Sequence, residues 1–259
     1  MYKARKLGQN FLINEKIIKK IILSINIKKN DEIIEIGPGK AALTKYIICK
    51  TINLVEIDTK IVNFLKTKIL HKNIYEDDFL KFNINNVYNK KKLRIIGNIP
   101  YKISTKIVLH LIKFKNHIKD IHIMMQKELF ERINAEVNSK QYGKLSVLIQ
   151  YHFKIKKLFN VSKEAFFPKP EINSSFIQLI PKREKNIKNF LMFKHILNIV
   201  FSQRRKKIGK TLKNHNIIIK NINNILNKRP EEIKINEYIY ISNKYYKSIY
   251  NSGNTSCIS

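Results

Sequence analysis

The sequence predicts an α/β fold, with a parallel sheet covered by helices on both faces, followed by a small all-helical domain. Short apolar runs typical of buried strands alternate with segments of helical periodicity as far as Pro181. From about residue 186 only helical periods remain, most clearly over residues 187–203. Because strands that alternate with helices pair in parallel, we predict two domains, residues 1–182 and 183–259.

The predicted elements follow one another in a regular order. Isoleucines at helical spacing indicate a helix over residues 14–26. Short apolar runs then predict the strands of the sheet, at residues 31–37, 52–58, 73–78, 92–98 and 120–126. Apolar residues three and four positions apart predict the remaining helices of this domain, at residues 40–48, 60–70, 105–114 and 127–136.

The charge of the chain favours a polyanionic partner. Lysine and arginine number 51 against 19 acidic residues, a formal net charge of +32, and RNA or DNA is the first partner to consider. Lysine outnumbers arginine 44 to 7, as expected when the base composition of the genome favours A and T. The arginines are therefore the better indicators of a nucleic-acid partner. Arg204 and Arg205 stand together in the basic run of residues 201–212, whose alternative interpretation is a solvated helix face.

Several other classes of protein are excluded or disfavoured. Two cysteines, Cys49 and Cys257, are too few for a disulfide framework or a cysteine zinc site, and the seven histidines show no metal spacing. No run approaches the roughly 20 apolar residues of a membrane helix. The basic N-terminal segment lacks the apolar stretch of a signal peptide. We therefore expect a cytoplasmic protein with no metal and no membrane partner.

Glycine, proline and acidic residues outline a pocket at one edge of the sheet. Gly37 and Gly39 follow the first predicted strand, and Gly97 and Pro100 fall at the end of the fourth. Acidic residues end the second and third strands, at Glu56 and Asp78. The carboxyl ends of parallel strands meet at one edge, where open α/β sheets bind their ligands.

The residues of this edge suit a cofactor that contains adenosine. The segment "EIGPGKAA" matches the loose G-x-G-x-x-G/A pattern with Gly37, Gly39 and Ala42, although such a loop can be a simple strand-to-helix turn. Glu56 is placed to accept hydrogen bonds from both ribose hydroxyls, and Asp78 suits an adenine amino group. These residues are compatible with either a dinucleotide or S-adenosylmethionine.

The segment "RIIGNIPYKIS" (94–104) decides between these cofactors. An exocyclic adenine nitrogen is a poor nucleophile because its lone pair is delocalised into the ring. Methylating it requires acceptors that hold the amino group out of conjugation, and the Asn98 side chain and the Pro100 carbonyl can serve. Tyr101 supplies a flat surface for the base. Hydride transfer has no evident use for this arrangement, so the segment favours S-adenosylmethionine.

The sequence resembles the RNA N6-adenine dimethyltransferases, and most closely the KsgA-type enzymes of the small-subunit ribosomal RNA. The resemblance implies a Rossmann-like class I methyltransferase sheet. The matching blocks cover nearly the whole chain in the family's order: "GQNFL" (8–12), "EIGPGKAALT" (35–44), "VEID" (55–58), "DFLKF" (78–82), "GNIPYKIST" (97–105), "MMQKEL" (124–129), "YGKLSVLIQY" (142–151), "AFFPKPEINSS" (165–175) and "FSQRRKKIGKTL" (201–212).

The resemblance also implies roles for individual residues. S-adenosylmethionine would be bound by residues of the loop edge, namely Asn10, Leu12, Gly37, Gly39, Glu56, Asp78 and Asn98. Tyr101 and Phe166 would sandwich the target adenine, with Asn98 and Pro100 orienting its amino group. The basic run would bind RNA phosphates, through Arg204, Arg205, Lys206 and Lys207. The implied substrate is two adjacent adenosines in the 3′-terminal hairpin loop of 16S ribosomal RNA, on an immature small subunit, and we expect a monomer.

Three alternatives stay open at this point. One is the related large-subunit ribosomal RNA methyltransferase that confers macrolide resistance, and another is a ribosome-assembly factor that acts by binding RNA. The third is a basic dinucleotide oxidoreductase, which lacks any hydride-site constellation here. The chain departs from the family pattern at Gly209 and Lys210 in the basic run, and at Asn173, where aspartate is usual.

Overall fold

The computed structural model describes residues 9–69, 72–183 and 186–251. Three residues of the predictions above, Gly8, Leu70 and Cys257, lie outside these ranges, as do the remaining residues of the basic N-terminal segment. Cys49 is a half-buried free thiol.

The chain forms two compact units, each described by itself. The first contains the described residues up to Phe130 together with His152–Lys182, and the second contains Glu131–Tyr151 and the described residues from Arg183 onward. The boundary expected after residue 182 coincides with one change of unit. The expected first domain also included residues 131–151, and here the structure differs. Their apolar side chains, such as Tyr142 and Val147, are buried in the hydrophobic core of the second unit.

Strands of the first unit form a short ribbon and a central sheet. In chain order the strands of the described residues are β1 (Phe11–Leu12), β2 (Glu32–Ile36), β3 (Thr51–Glu56), β4 (Asn73–Glu76), β5 (Leu93–Asn98), β6 (Ile118–Gln126), β7 (Phe153–Val161), β8 (Phe166–Phe167) and β9 (Ser174–Pro181). Seven of them make the central sheet in the order β4-β3-β2-β5-β6-β9-β7, and β1 pairs with β8.

The five predicted strands are confirmed, and they form the parallel part of the sheet. Strands β4, β3, β2, β5 and β6 pair in parallel. Every residue of β2 is buried, as is typical of a parallel strand that is covered on both faces. The mixed sheet with helices around it, and a helical region after it, confirm the predicted fold class.

Two antiparallel strands, β7 and β9, extend the sheet beyond the prediction. β9 pairs with β6 and β7 pairs with β9. Lysines occupy exposed positions of β7, such as Lys154 and Lys156, so the segment lacks the apolar run by which the other strands were recognised. Exposed lysines on an edge strand prevent it from pairing with another chain.

The helix predicted over residues 40–48 is wrong. This segment forms turns and a short 3₁₀ helix at Thr44–Tyr46. The backbone of Ala41 is left-handed, with a φ of 63°, and a left-handed residue interrupts any α-helix that begins before it. Leu43 and Ile47 still reach the core, which explains why their spacing looked helical.

The other predicted helices are confirmed with small changes at their ends. In the described residues the α-helices are α1 (Glu15–Ile25), α2 (Thr59–Lys68), α3 (Ser104–Ile112), α4 (Lys127–Ile133), α5 (Lys144–His152), α6 (Phe190–Ser202), α7 (Ile208–Asn214), α8 (Asn223–Leu226) and α9 (Ile235–Asn251). Asn14 caps α1 by accepting a hydrogen bond from the Ile17 amide at 3.1 Å. The described residues from 186 onward contain helices and turns but no strand.

Candidate active site

A cavity of about 530 Å³ opens at the carboxyl ends of β2, β3 and β5. The structure brings nine of the predicted site residues to its wall, namely Asn10, Leu12, Gly37, Gly39, Glu56, Asp78, Asn98, Pro100 and Tyr101. They come from separate blocks of the sequence, and the parallel strand order is what gathers them at one edge.

The loop after β2 requires both of its glycines. Gly37 and Gly39 have φ values of 60° and 53°, in the left-handed region that side chains rarely adopt. The Gly37 amide donates to the Val55 carbonyl at 2.9 Å, which ties the loop to β3. A Cβ atom on Gly39 would lie 3.1 Å from the Phe11 ring. The loop therefore turns sharply and leaves its backbone close to the cavity.

Glu56 ends β3 with a buried carboxylate, and within the described residues its hydrogen bonds all come from main-chain amides. Its Oε2 accepts from the Gly39 amide at 3.3 Å, and its Oε1 accepts from Ile57 at 3.0 Å and Asp58 at 3.1 Å. Burial raises the pKa of Glu56, although these hydrogen bonds act to lower it. Among the described residues, no cation lies within salt-bridge distance of it, so the carboxylate faces the cavity without a charge partner.

Glu35 is a second buried carboxyl at the cavity, and the sequence reasoning missed it. It lies on the cavity wall near the end of β2, and the Thr44 hydroxyl donates to its Oε2 at 2.7 Å. Burial raises the pKa of Glu35 to about 7, although the Thr44 hydrogen bond and the Lys72 ammonium lower it. Its position two residues before Gly37 was the signal that could have identified it.

Asp78 lies just beyond the end of β4 and lines the cavity. The preceding residue, Asp77, donates its amide to the Glu56 carbonyl at 3.0 Å, which holds the two strand ends together. Asp78 Oδ1 accepts from the Leu80 amide at 3.0 Å. The Asp78 carboxylate is thereby fixed beside the end of β3.

The end of β5 offers hydrogen-bond acceptors to the cavity. Asn98 Nδ2 donates to the Asn10 carbonyl at 2.8 Å, and Asn98 Oδ1 accepts no hydrogen bond from the described residues. The Pro100 carbonyl accepts from the Ile103 amide and from the Ser104 hydroxyl, both at 3.1 Å. A carbonyl oxygen has two lone pairs, so this occupancy argues against the expected role of Pro100. The Ile99 carbonyl accepts no hydrogen bond from the described residues.

The two predicted aromatic residues differ in their surroundings. Tyr101 lines the cavity, and its hydroxyl lies 2.5 Å from the Ser174 hydroxyl. Burial raises the pKa of Tyr101. Phe166 is only 3% exposed and belongs to the core cluster that includes Leu12. Phe166 is not among the residues of the cavity wall, although Leu12, with which it pairs and shares the core cluster, is.

The four basic residues predicted to bind RNA also differ in their surroundings. Arg204 Nη2 donates to the carbonyls of Lys140 and Tyr142 at 3.1 and 2.7 Å, so its guanidinium stabilises a turn of the second unit. The next three residues, Arg205, Lys206 and Lys207, are exposed.

The structure gives a reason for two departures from the family pattern. A Cβ atom on Gly209 would lie 3.0 Å from the Leu226 backbone, so glycine allows α7 and α8 to approach closely. Asn173 Oδ1 accepts from the Lys163 amide at 3.1 Å, a role that either asparagine or aspartate can fill.

The described residues contain neither a metal-binding cluster nor a membrane-spanning helix. No group of three or more histidine, cysteine, aspartate or glutamate side chains in these ranges is placed to hold a metal ion. No helix of the described residues is both long and apolar enough to cross a membrane.

The fold and this site define a class I methyltransferase, with a glycine loop, a strand-end carboxylate and an N-I-P-Y segment around one cavity. The chain matches the family model described as ribosomal RNA adenine dimethylase over residues 2–254, and it belongs to that family. It is therefore an enzyme that uses S-adenosylmethionine.

Similar proteins agree with this assignment. The chain is 45% identical over 222 residues to "Ribosomal RNA small subunit methyltransferase A" of Francisella tularensis subsp. novicida, covering 82% of this chain and 84% of that protein. It is 41% identical over 254 residues to the protein of the same name from Malacoplasma penetrans, covering 95% and 93%.

Solved structures share the fold. A dimethyladenosine transferase from Plasmodium falciparum has a TM-score of 0.78 at 26% identity, over 94% of this chain and 98% of that chain. The 23S rRNA methyltransferase ErmE has a TM-score of 0.66 at 19% identity, over 90% and 99%, which shows the fold alone.

Proposed function

We propose that this enzyme dimethylates N6 of two adjacent adenosines in the 3′-terminal hairpin loop of 16S ribosomal RNA while the small subunit matures. The observation that carries the proposal is the combination of the N-I-P-Y segment at the cavity with 41% identity to a small-subunit methyltransferase over 95% of the chain. The same likeness supports the cytoplasm as its location, because ribosomes are its substrate, and we expect it to act as a monomer.

The cavity fits S-adenosylmethionine. Gly39 has no room for a Cβ atom beside Phe11, which keeps the loop backbone close to whatever occupies the cavity. Glu56 would bind the ribose hydroxyls and Asp78 the adenine amino group, with Asn10, Leu12, Gly37 and Asn98 completing the site. When bound, the cofactor supplies a methyl group activated by a sulfonium.

The residues at the end of β5 would position the target amino group. We assign its two hydrogen-bond acceptors to Asn98 Oδ1 and, in place of the Pro100 carbonyl, to the Ile99 carbonyl. Two acceptors on the amino hydrogens draw the nitrogen lone pair out of conjugation with the ring. Tyr101 would stack on the base, with its ring held by the hydrogen bond to Ser174. The role expected of Phe166 as the second aromatic wall requires that its side chain leave the core, so we propose Tyr101 as the principal stacking residue.

The test of this function is methyl transfer to small ribosomal subunits that lack the modification, with large-subunit RNA in parallel. We expect N6,N6-dimethyladenosine only in the small subunit. The Asn98→Ala variant should lower the turnover by about 100-fold or more, as removal of a preorganised polar contact does, with little change in RNA affinity. Product in large-subunit RNA would move the function to the macrolide-resistance type, and cofactor binding without transfer would favour an assembly factor.

RNA binding by the exposed basic run has its own test. Arg205, Lys206 and Lys207 would contact phosphates, and each lost contact should make the negative slope of log affinity against log salt shallower by about 1. Arg205→Gln should therefore flatten this slope while the protein keeps its stability. Arg204→Gln is the matched comparison, and it should lower the free energy of unfolding instead. An unchanged slope in Arg205→Gln would favour a solvated helix face.

A further inference from the structure

Phe167 is exposed to an unusual degree beside the proposed active site. It leaves 56% of its surface accessible, the largest fraction of any phenylalanine in the described residues. Burying a phenylalanine side chain is favourable, because it removes a large apolar surface from water. An exposed aromatic ring next to a cavity offers a bound partner a flat apolar face to cover.

The position of Phe167 is set by paired strands. In the β1–β8 ribbon, Phe11 pairs with Phe167 and Leu12 pairs with Phe166. Leu12 and Phe166 are buried on one face of the ribbon, so Phe11 and Phe167 share the opposite face. The Ile13 amide donates to the Ala165 carbonyl at 2.9 Å, which anchors the ribbon at its end.

Phe11 connects Phe167 to the cavity. Phe11 itself lines the cavity, and Lys40 Nζ lies 5.6 Å from the centre of its ring. Side chains that are directly opposite in an antiparallel pair have Cβ atoms about 4.5–5.5 Å apart. Phe167 is therefore the direct neighbour of Phe11, a residue of the cavity wall. Lys40 and Lys102, both exposed and both on that wall, make the surroundings cationic.

We propose that Phe167, together with Phe11, forms a stacking surface for the nucleobase next to the adenosine that enters the cavity. This inference rests on the proposed function, because it requires a loop of unpaired RNA as the substrate. Taking one adenosine out of its stack uncovers a face of its neighbour, and an aromatic ring can replace the lost stacking. The lysines of the cavity wall favour a nucleic acid over an apolar protein partner.

The experiment uses small subunits reconstituted with RNA whose 3′ hairpin carries a ligated synthetic segment. One version has both adenosines, and the other has an abasic site in place of the neighbour of the target. KM for the subunit and kcat are measured with the wild type, Phe167→Ala, Phe167→Trp and Phe64→Ala. Phe64 is the matched control, since it is an exposed phenylalanine of α2 that does not line the cavity.

We expect Phe167→Ala to raise KM by about tenfold on the intact RNA, and to have little effect on the abasic RNA. Phe167→Trp should keep the wild-type KM because it keeps a stacking surface. Phe64→Ala should leave KM unchanged on both RNAs. An equal effect of Phe167→Ala on both RNAs, or no effect on either, would overturn the inference. If the wild type itself methylates no small-subunit RNA, the proposed function fails instead.

Discussion

Two sets of buried charged residues at opposite ends of the parallel sheet differ in their partners. Near the amino ends of β2, β5 and β6, Arg94 uses all five of its N–H groups, donating to Asp31, to both oxygens of Asp120 and to the carbonyls of Ile25 and Asn26 at 2.7–3.1 Å. At the carboxyl ends, Glu35 and Glu56 are buried without a cation at salt-bridge distance among the described residues.

This difference separates stability from binding. Burial raises the pKa of Asp31, but hydrogen bonds from the Lys28 main chain, Arg94 and Lys119 outweigh it and leave the pKa lowered. The buried carboxyls of the opposite edge, Glu35 and Glu56, have raised pKa values because burial prevails there. Unpaired buried acids cost stability and mark candidate functional sites, so we assign the amino edge to folding and the carboxyl edge to the cofactor.

The largest effect expected is on stability, from Arg94→Met. This change leaves Asp31 and Asp120 buried without their partner, which costs about 3–5 kcal/mol. Urea unfolding measures it. Lys119→Met is the matched control, because Lys119 contacts Asp31 at 3.1 Å but is 50% exposed, and such pairs contribute less than about 1 kcal/mol. Equal losses in the two variants would contradict the assignment of the amino edge.

Ser174→Ala should have a smaller effect, and on activity. It removes the hydrogen bond that orients Tyr101, and a bond of about 1 kcal/mol corresponds to roughly fivefold in kcat. Ser175→Ala is the control, because Ser175 is equally buried but its hydroxyl bonds to Asn160 at 3.2 Å. In Tyr101→Phe the further change Ser174→Ala should cost no more activity. Additive losses would show that Ser174 acts independently of Tyr101.

A third prediction concerns pH and Glu35. Its folded-state pKa of about 7 lies above the ordinary 4.5, so protonation stabilises the folded state. This contribution is fully present below pH 4.5 and is lost as the pH rises through about 7. The free energy of unfolding should therefore fall over this range in the wild type, relative to Glu35→Gln. Parallel curves for the two proteins would show that Glu35 titrates normally.

The parallel sheet and its functional edge were predictable because local patterns determine them. Buried parallel strands are continuous apolar runs, and the residues that follow them, such as Gly37 and Glu56, differ visibly from those runs. Strand β7 was not predictable in this way, since its lysines conceal the apolar alternation. The turn at Ala41 depends on a left-handed backbone conformation, which an alanine in the sequence does not predict.

The side-chain environments of the site depended on distant contacts. Phe166 is buried because β8 pairs with β1, more than 150 residues earlier in the chain. Arg204 donates to carbonyls of residues 140 and 142, which lie over 60 positions away. Neither partner can be inferred from the motif that contains the residue. Motifs therefore located the site, and the fold decided which of their side chains reach it.

The most direct test of the account is calorimetric binding of S-adenosylmethionine to the wild type, Glu56→Gln and Glu76→Gln. Glu56 and Glu76 are paired neighbours at the ends of β3 and β4, but only Glu56 lines the cavity. We predict that Glu56→Gln weakens binding by about tenfold or more, as the loss of hydrogen bonds to a charged group does, and that Glu76→Gln leaves it unchanged. Equal affinities in all three proteins would contradict the claim that the unpaired carboxylate of this edge holds the cofactor.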